Sequence, residues 1–375
     1  RLTLEGDWIN SGAYNASGSN RRVYFTGAVQ TIGGSTATDF ERLYINDGSS
    51  VTLAQNLNIS NFMDLSGTFD PTPAFKVTGT GKIDIKSGGE LKVMAAVITT
   101  NYAATIDIDA GTSTSVINYA STTVNQSISD NISYRILRIS GSMTKSLVAN
   151  TTVIADLLIT GGTLDLGDFT ANRSNSGGSI VISAGSALKI GGTKTFPANY
   201  SSHSIATTST VEYYGGNQSV AAEAYGNLIF SSVSGTVTKT MPANALTIAG
   251  NLTTSVSAGT LAFTALNIIT VRGDISLGSN STFNGSTFAH TSSGDWTNNG
   301  VYSGCGGTFT FTKAGAVLSG SGTNDFGNLV IGGSGTTLNQ NTSFSACGNF
   351  STSVGGSFRH VAGGTGSFTM TGASK

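Results

Sequence analysis

Phe40-Glu41-Arg42-Leu43-Tyr44-Ile45 returns as Tyr134-Arg135-Ile136-Leu137-Arg138-Ile139, then as Tyr225-Gly226-Asn227-Leu228-Ile229-Phe230, then as Phe326-Gly327-Asn328-Leu329-Val330-Ile331. The shared pattern is an aromatic, two free positions, Leu, one free position and an apolar residue. Its copies stand 94, 91 and 101 residues apart. A second element lies roughly ten residues upstream. It reads Gln30-Thr31-Ile32, Gln126-Ser127-Ile128 and Gln218-Ser219-Val220, and has decayed to Ala316-Val317-Leu318 in the fourth copy. Before it comes a short strand pattern: Val23-Tyr24-Phe25, Val116-Ile117-Asn118-Tyr119, Val211-Glu212-Tyr213 and Phe309-Thr310-Phe311. Both tryptophans join a third element, Gly6-Asp7-Trp8-Ile9-Asn10 and Gly294-Asp295-Trp296-Thr297-Asn298, which are 288 residues apart, three periods of 96. Independent elements that agree on one period identify a repeat.

Between these landmarks run many strands of three to five residues that alternate apolar and polar side chains, such as Lys82-Ile83-Asp84-Ile85 and Ala187-Leu188-Lys189-Ile190. Period-two alternation marks strands with one buried face. Gly, Asn and Ser punctuate them, and no stretch has a sustained helical period. Two all-β folds fit. The expected one is a parallel β-helix, or solenoid, right-handed by the usual crossover rule. The alternative is a string of tandem β-sandwich domains, for which about 95 residues is also a natural length. Short strands, only 4 Pro and no linker-like stretch favour the solenoid. Residues 1–375 are therefore read as one continuous segment of a longer chain. The repeats run at about 22–114, 115–208, 209–306 and 307–365, and a further one starts near 366. Coils of about 23 residues would give about 16 turns, a rod of roughly 80 Å at ~4.8 Å per turn.

Composition agrees. Gly, Ser, Thr and Asn make up 181 of the 375 residues, and charged residues only 10%. The net charge is −1 and no run is basic, which argues against nucleic acid as a partner. No stretch of ~18 apolar residues suggests a membrane span.

Candidate chemistry is sparse. Asp107 and Asp109 share one face of a strand, and Asp165 and Asp168 lie close together, but no basic residue stands near either pair in sequence. They read as solvent-facing positions rather than a glycosidic acid/base pair. His203, His290 and His360 are far apart, no GxSxG elbow or calcium-binding repeat occurs, and no cofactor or metal is expected. Cys305 and Cys347 read either as a disulfide or as two small buried thiols. Gln30, Gln126 and Gln218 read as stacked amides or turn-stabilising groups, with Leu43, Leu137, Leu228 and Leu329 as repeat-defining core positions. Trp8 and Trp296 read as packing residues, with an exposed sugar platform as the alternative.

Gly-Thr-Leu-Asp-Leu (162–166), the Gln-Ser-Ile element and the Phe/Tyr-Gly-Asn-Leu copies resemble the repeats of very large secreted surface proteins of Bacteroidota. Many of those are exported by the type IX system, and they include gliding-motility adhesins. The resemblance implies an extracellular, cell-surface stalk segment of an adhesin or filament, not an enzyme. It implies neighbouring repeats of the same chain as partners, with secretion or outer-membrane anchoring proteins and surface polysaccharide as further ones. It brings no catalytic residue. The alternatives are a carbohydrate-active β-helix enzyme and a sheath or fibre protein that assembles end to end.

Overall fold

A computed structural model describes residues 1–14, 21–111, 114–333, 337–360 and 366–371. The chain is 53% strand and 1% helix, and its stacked parallel strands form a β-solenoid of about 17 turns. Every described strand pairing is parallel, for example Ile117 with Leu137 and Leu137 with Leu157. Tandem sandwiches, built from antiparallel hairpins, are thereby excluded. The chain forms two compact units, Arg1–Ser186 with Pro197–Ser204, and Ala187–Phe196 with Ile205–Lys375. Among the described residues no helix is long and apolar enough to cross a membrane.

In the first unit one ladder runs through Leu2–Leu4, Arg22–Phe25, Thr38–Ile45, Leu57–Leu65, Lys82–Ile85 and Asp107–Asp109. Its inward column is Val23, Leu43, Met63 and Ile83, one from each successive coil, and all are buried. Its outward columns carry Arg22, Arg42, Phe62 and Lys82 beside Tyr24, Tyr44, Asp64 and Asp84. A second ladder stacks Val51, Phe69, Leu91, Ile117, Leu137, Leu157 and Ile180 inward, all at 0% exposure. Each such side chain stabilises the stack by about 1.5–3 kcal/mol through removal of apolar surface from water.

The single helix of the described residues, Ile98–Asn101, fills a corner of this unit. Asn101 is fully buried there. Its carbonyl accepts the backbone N–H groups of Met94 and Ala95, and its amide donates to the carbonyls of Thr72 and Phe75. All its hydrogen-bonding capacity is used, which lets an amide occupy an apolar corner.

The second unit has three ladders per turn. The first stacks Leu188, Val211, Leu228, Leu252, Ile275, Trp296 and Leu318 inward, one from each turn. The other two ladders merge where Val301–Phe311 and Thr323–Ile331 bend around a corner, with a register shift between Gly304 and Thr308. A Cβ at Gly327 would lie 2.2 Å from the Gly307 carbonyl oxygen, so only glycine lets these corners stack.

The sequence repeat now has a structural meaning. The short strand before the glutamine element and the aromatic–Leu element after it are consecutive rungs of one ladder. Val23 pairs with Leu43, Ile117 with Leu137, Val211 with Leu228 and Phe309 with Leu329. The glutamine element lies on the strand between them, so one motif spans one turn of the solenoid.

Candidate functional site

The four repeat leucines, Leu43, Leu137, Leu228 and Leu329, are all at 0% exposure and point inward. The three repeat glutamines do the same work at equivalent corners. The Gln30 carbonyl accepts the Gly27 N–H, that of Gln126 accepts the Ser121 N–H, and that of Gln218 accepts the Gly215 N–H. Each donor lies just past the end of the first repeat strand. Each amide nitrogen donates back to carbonyls of the preceding turn: Leu4 and Gly6, Val93 and Ala95, Ile190 and Lys194. The glutamine is thus a corner clip that satisfies buried backbone groups of two turns at once. The three belong to separate turns, so they form no amide stack.

Under two of the clips lies a lysine that sequence reasoning missed. Lys145 pairs in register with Gln126, and Lys239 with Gln218. Both are fully buried. The Lys145 ammonium donates to the carbonyls of Ser121 and Met143, at 3.0 and 2.9 Å. That of Lys239 donates to the carbonyls of Gly215 and Gly216 and, at 2.5 Å, to Gln218 Oε1. Burial lowers each ammonium to about 8. A visible signal existed: Thr144-Lys145 and Thr238-Lys239 recur 94 residues apart.

The same two copies carry a buried tyrosine pair. The hydroxyls of Tyr119 and Tyr134 meet at 2.8 Å, and those of Tyr213 and Tyr225 at 2.9 Å. In each pair a loop residue closes the circuit: Ser129 donates to Tyr119 and accepts from Tyr134, and Ala221 donates to Tyr213 and accepts from Tyr225. Burial pushes Tyr119 and Tyr213 up to about 12.

The tryptophan element also repeats in three dimensions. The Trp8 indole N–H donates to Thr38 Oγ1 and that of Trp296 to Asn324 Oδ1, at 2.9 and 2.8 Å. Asp7 and Asp295 accept the N–H groups of Thr31 and Val317 on the next strand. Each indole is edge-on to the tyrosine that follows it in the element, Tyr14 or Tyr302, with centroids 4.7 and 4.9 Å apart. Trp296 is fully buried and Trp8 half-buried, as packing residues are. Gly34 and Gly320, at φ +121° and +105°, pass beside Asn10 and Asn298, where a Cβ would lie about 2 Å from a carbonyl oxygen.

Cys305 and Cys347 form a disulfide, with Cα atoms 5.6 Å apart. Gly304 pairs with Phe326, and Phe326 with Ala346, so the bond spans the turn that lies between its ends.

Of the acidic pairs, Asp165 caps its own turn by accepting the Gly167 N–H, and Asp168 is exposed. Asp107 and Asp109 have a basic neighbour after all. Stacking sets Lys82 opposite Asp107, and its ammonium reaches Asp109 at 2.6 Å. That hydrogen bond, with the Gly111 N–H, lowers the Asp109 carboxyl. Of the histidines, His203 is exposed and touches the Tyr200 carbonyl. His290 is buried: Nδ1 accepts the Ile269 N–H and Nε2 donates to the Gly285 carbonyl. The backbone at His360 ends the strand Ser357–His360, and its side chain lies outside the described residues.

The Lys82–Asp109 pair belongs to a larger arrangement on the outer face of the first ladder. Asp64, Asp84 and Asp109 occupy one outward column on successive turns. Lys86 bridges the first two through an ion pair to Asp84 and a 3.8 Å approach to Asp64. Above them the Tyr24 and Tyr44 rings stack at 4.3 Å, and Phe62 stands edge-on to Tyr44. A cleft of about 430 Å³ opens among Tyr44, Phe62, Asp64, Lys82, Asp84 and Lys86. Burial raises the Asp64 carboxyl, opposed by the Lys86 charge. Among the described residues no group of three or more His, Cys, Asp or Glu side chains is placed to hold a metal ion. No family model, curated protein or solved structure matches the chain.

Proposed function

We propose that this chain is a stalk segment of an extracellular surface adhesin or filament, similar in role to the large secreted repeat proteins of Bacteroidota that its repeats resemble. The observation that carries this reading is the repeated corner: the glutamine clips, the tyrosine circuits and the aspartates of the tryptophan elements all satisfy backbone groups of the stack itself. A low overall charge, 10% of residues, supports the same reading, as does a disulfide, which persists in oxidising compartments. The mechanism is mechanical. Backbone ladders carry load and hold whatever follows in the chain away from the surface.

Immunogold labelling of intact, unpermeabilised cells that express the parent gene tests this. Label on extended surface structures is expected. Label found only after permeabilisation overturns the reading. The enzyme alternative draws on the acidic column of the first unit. It requires release of reducing ends from a polysaccharide, lost in Asp107→Asn/Asp109→Asn.

A further inference from the structure

The cleft on the outer face of the first ladder has no role in a purely structural segment. The chain has 39 charged residues in 375. Five of them, Asp64, Lys82, Asp84, Asp107 and Asp109, share three neighbouring strands, and a sixth, Lys86, follows the middle strand directly. Stability does not explain this. Half-exposed ion pairs contribute about 0–1 kcal/mol each. Like charges directly opposite each other on neighbouring strands are destabilising, and Asp84 faces Asp64 on one side and Asp109 on the other. The Asp64 carboxyl is further penalised by burial. Elsewhere outward charges stand as unlike pairs, as Lys92–Asp70 and Lys189–Glu212 do, or give way to hydroxyls, as at Thr297 and Ser319. A concentration of charge that adds so little to the stability of its own fold points to a site.

The chemistry narrows the ligand. Two ammoniums already sit on the carboxylates, which excludes a divalent cation from the column. Two carboxylates against two lysines leave the lining without net charge, which favours neither a polyanion nor a polycation. A neutral polyol meets every group: carboxylates accept from paired hydroxyls, and lysines donate to ring and hydroxyl oxygens. Tyr44 and Phe62, both half-buried, offer sugar C–H groups at the rim the ring surface that the Tyr24 ring stacked on Tyr44 and the Arg42 guanidinium over Phe62 leave open. A volume of about 430 Å³ lies within the range of small-molecule sites. We propose that the cleft lined by Tyr44, Phe62, Asp64, Lys82, Asp84 and Lys86 binds pyranose units of a neutral polysaccharide. This inference is independent of the stalk reading.

Affinity electrophoresis of the whole chain tests it, in gels cast with soluble glucan, xylan, mannan or galactan, and with alginate as the anionic arm. At least one neutral polysaccharide is expected to retard the chain. Phe62→Ala and the isosteric Asp84→Asn are each expected to weaken that retardation at least tenfold. Lys189→Ala, which removes an ion pair to Glu212 in the second unit, is expected to leave it unchanged. Unaltered circular dichroism shows that the variants fold. No retardation by any neutral polysaccharide overturns the proposal. So does equal retardation of the variants, or retardation by alginate alone.

Discussion

Two turns of the second unit solve one problem in different ways. In the third repeat copy Gln218 clips the corner, Lys239 lies beneath it and the Tyr213–Tyr225 hydroxyls close a circuit. In the fourth copy the equivalent positions are Ala316 over Leu338, and Phe311 against Phe326 in T-shaped contact. The hydrogen-bond network has been replaced by apolar packing, and the disulfide joins the end of the third repeat to the fourth, the copy without a clip. The corner residue Lys313 turns outward there and pairs with Asp295 at 2.7 Å. One backbone stack therefore accepts a polar or an apolar interior, provided that both partners change together. That is expected when an orphaned buried group costs more than a satisfied one contributes.

This contrast can be tested at four places. The largest effect is expected from Cys305→Ser/Cys347→Ser. A closed loop of 42 residues gives about 4 kcal/mol by chain-entropy estimate, read as faster hydrogen exchange across 337–352. Unchanged exchange would show that the ladders alone hold the fourth copy.

Next is Gln218→Ala, which orphans the Gly215 N–H and several carbonyls at a cost of about 3 kcal/mol in urea unfolding. Gln218→Ala/Lys239→Leu, which installs the pairing of the fourth copy, is expected to recover at least half of that loss. A double variant worse than the single one would break the equivalence of the copies.

Tyr213→Phe comes third, at about 1–2 kcal/mol, since it leaves the Ala221 N–H without its acceptor and the Tyr225 hydroxyl with the Ala221 carbonyl alone. Tyr213→Phe/Tyr225→Phe is expected to cost less than the sum of its singles in a double-mutant cycle.

The fourth effect is one of pH. Lys145 and Lys239 fall to about 8 in the folded chain against 10.5 ordinarily, so between these values the unfolded chain binds more protons. Stability is therefore expected to rise with pH from about 8 to 10. Above 10 the raised tyrosines act in the opposite sense, because the unfolded chain loses their protons first. Lys145→Met/Lys239→Met is expected to flatten the rise, as followed by thermal melts.

The solenoid was legible because its landmarks lie within single turns. Val23 and Leu43 are one coil apart in sequence and neighbours in space, and so are their counterparts Ile117 and Leu137. The structural role of the glutamines was legible for the same reason. The cleft was not. Its residues recur once per coil rather than once per sequence repeat, and the coils differ in length. The step from Ile83 to Ile108 is longer than the one from Met63 to Ile83. Without the register, nothing in the sequence shows that Lys82 faces Asp107. The buried lysines escaped notice for a different reason. Lysine in an alternating strand reads as an outward residue, and only its return at the same place in the next repeat hints that it points in.

The disulfide has one more consequence. Its two ends lie on either side of an intervening turn, so tension along the chain passes through sulfur and bypasses the 41 residues between them, 306–346. Those residues are stored contour, roughly 140 Å if drawn out fully. Under an oxidising medium that length is withheld, and the fourth copy can be stretched only as far as its bridge allows. A reductant would release it all at once, as a single step in extension.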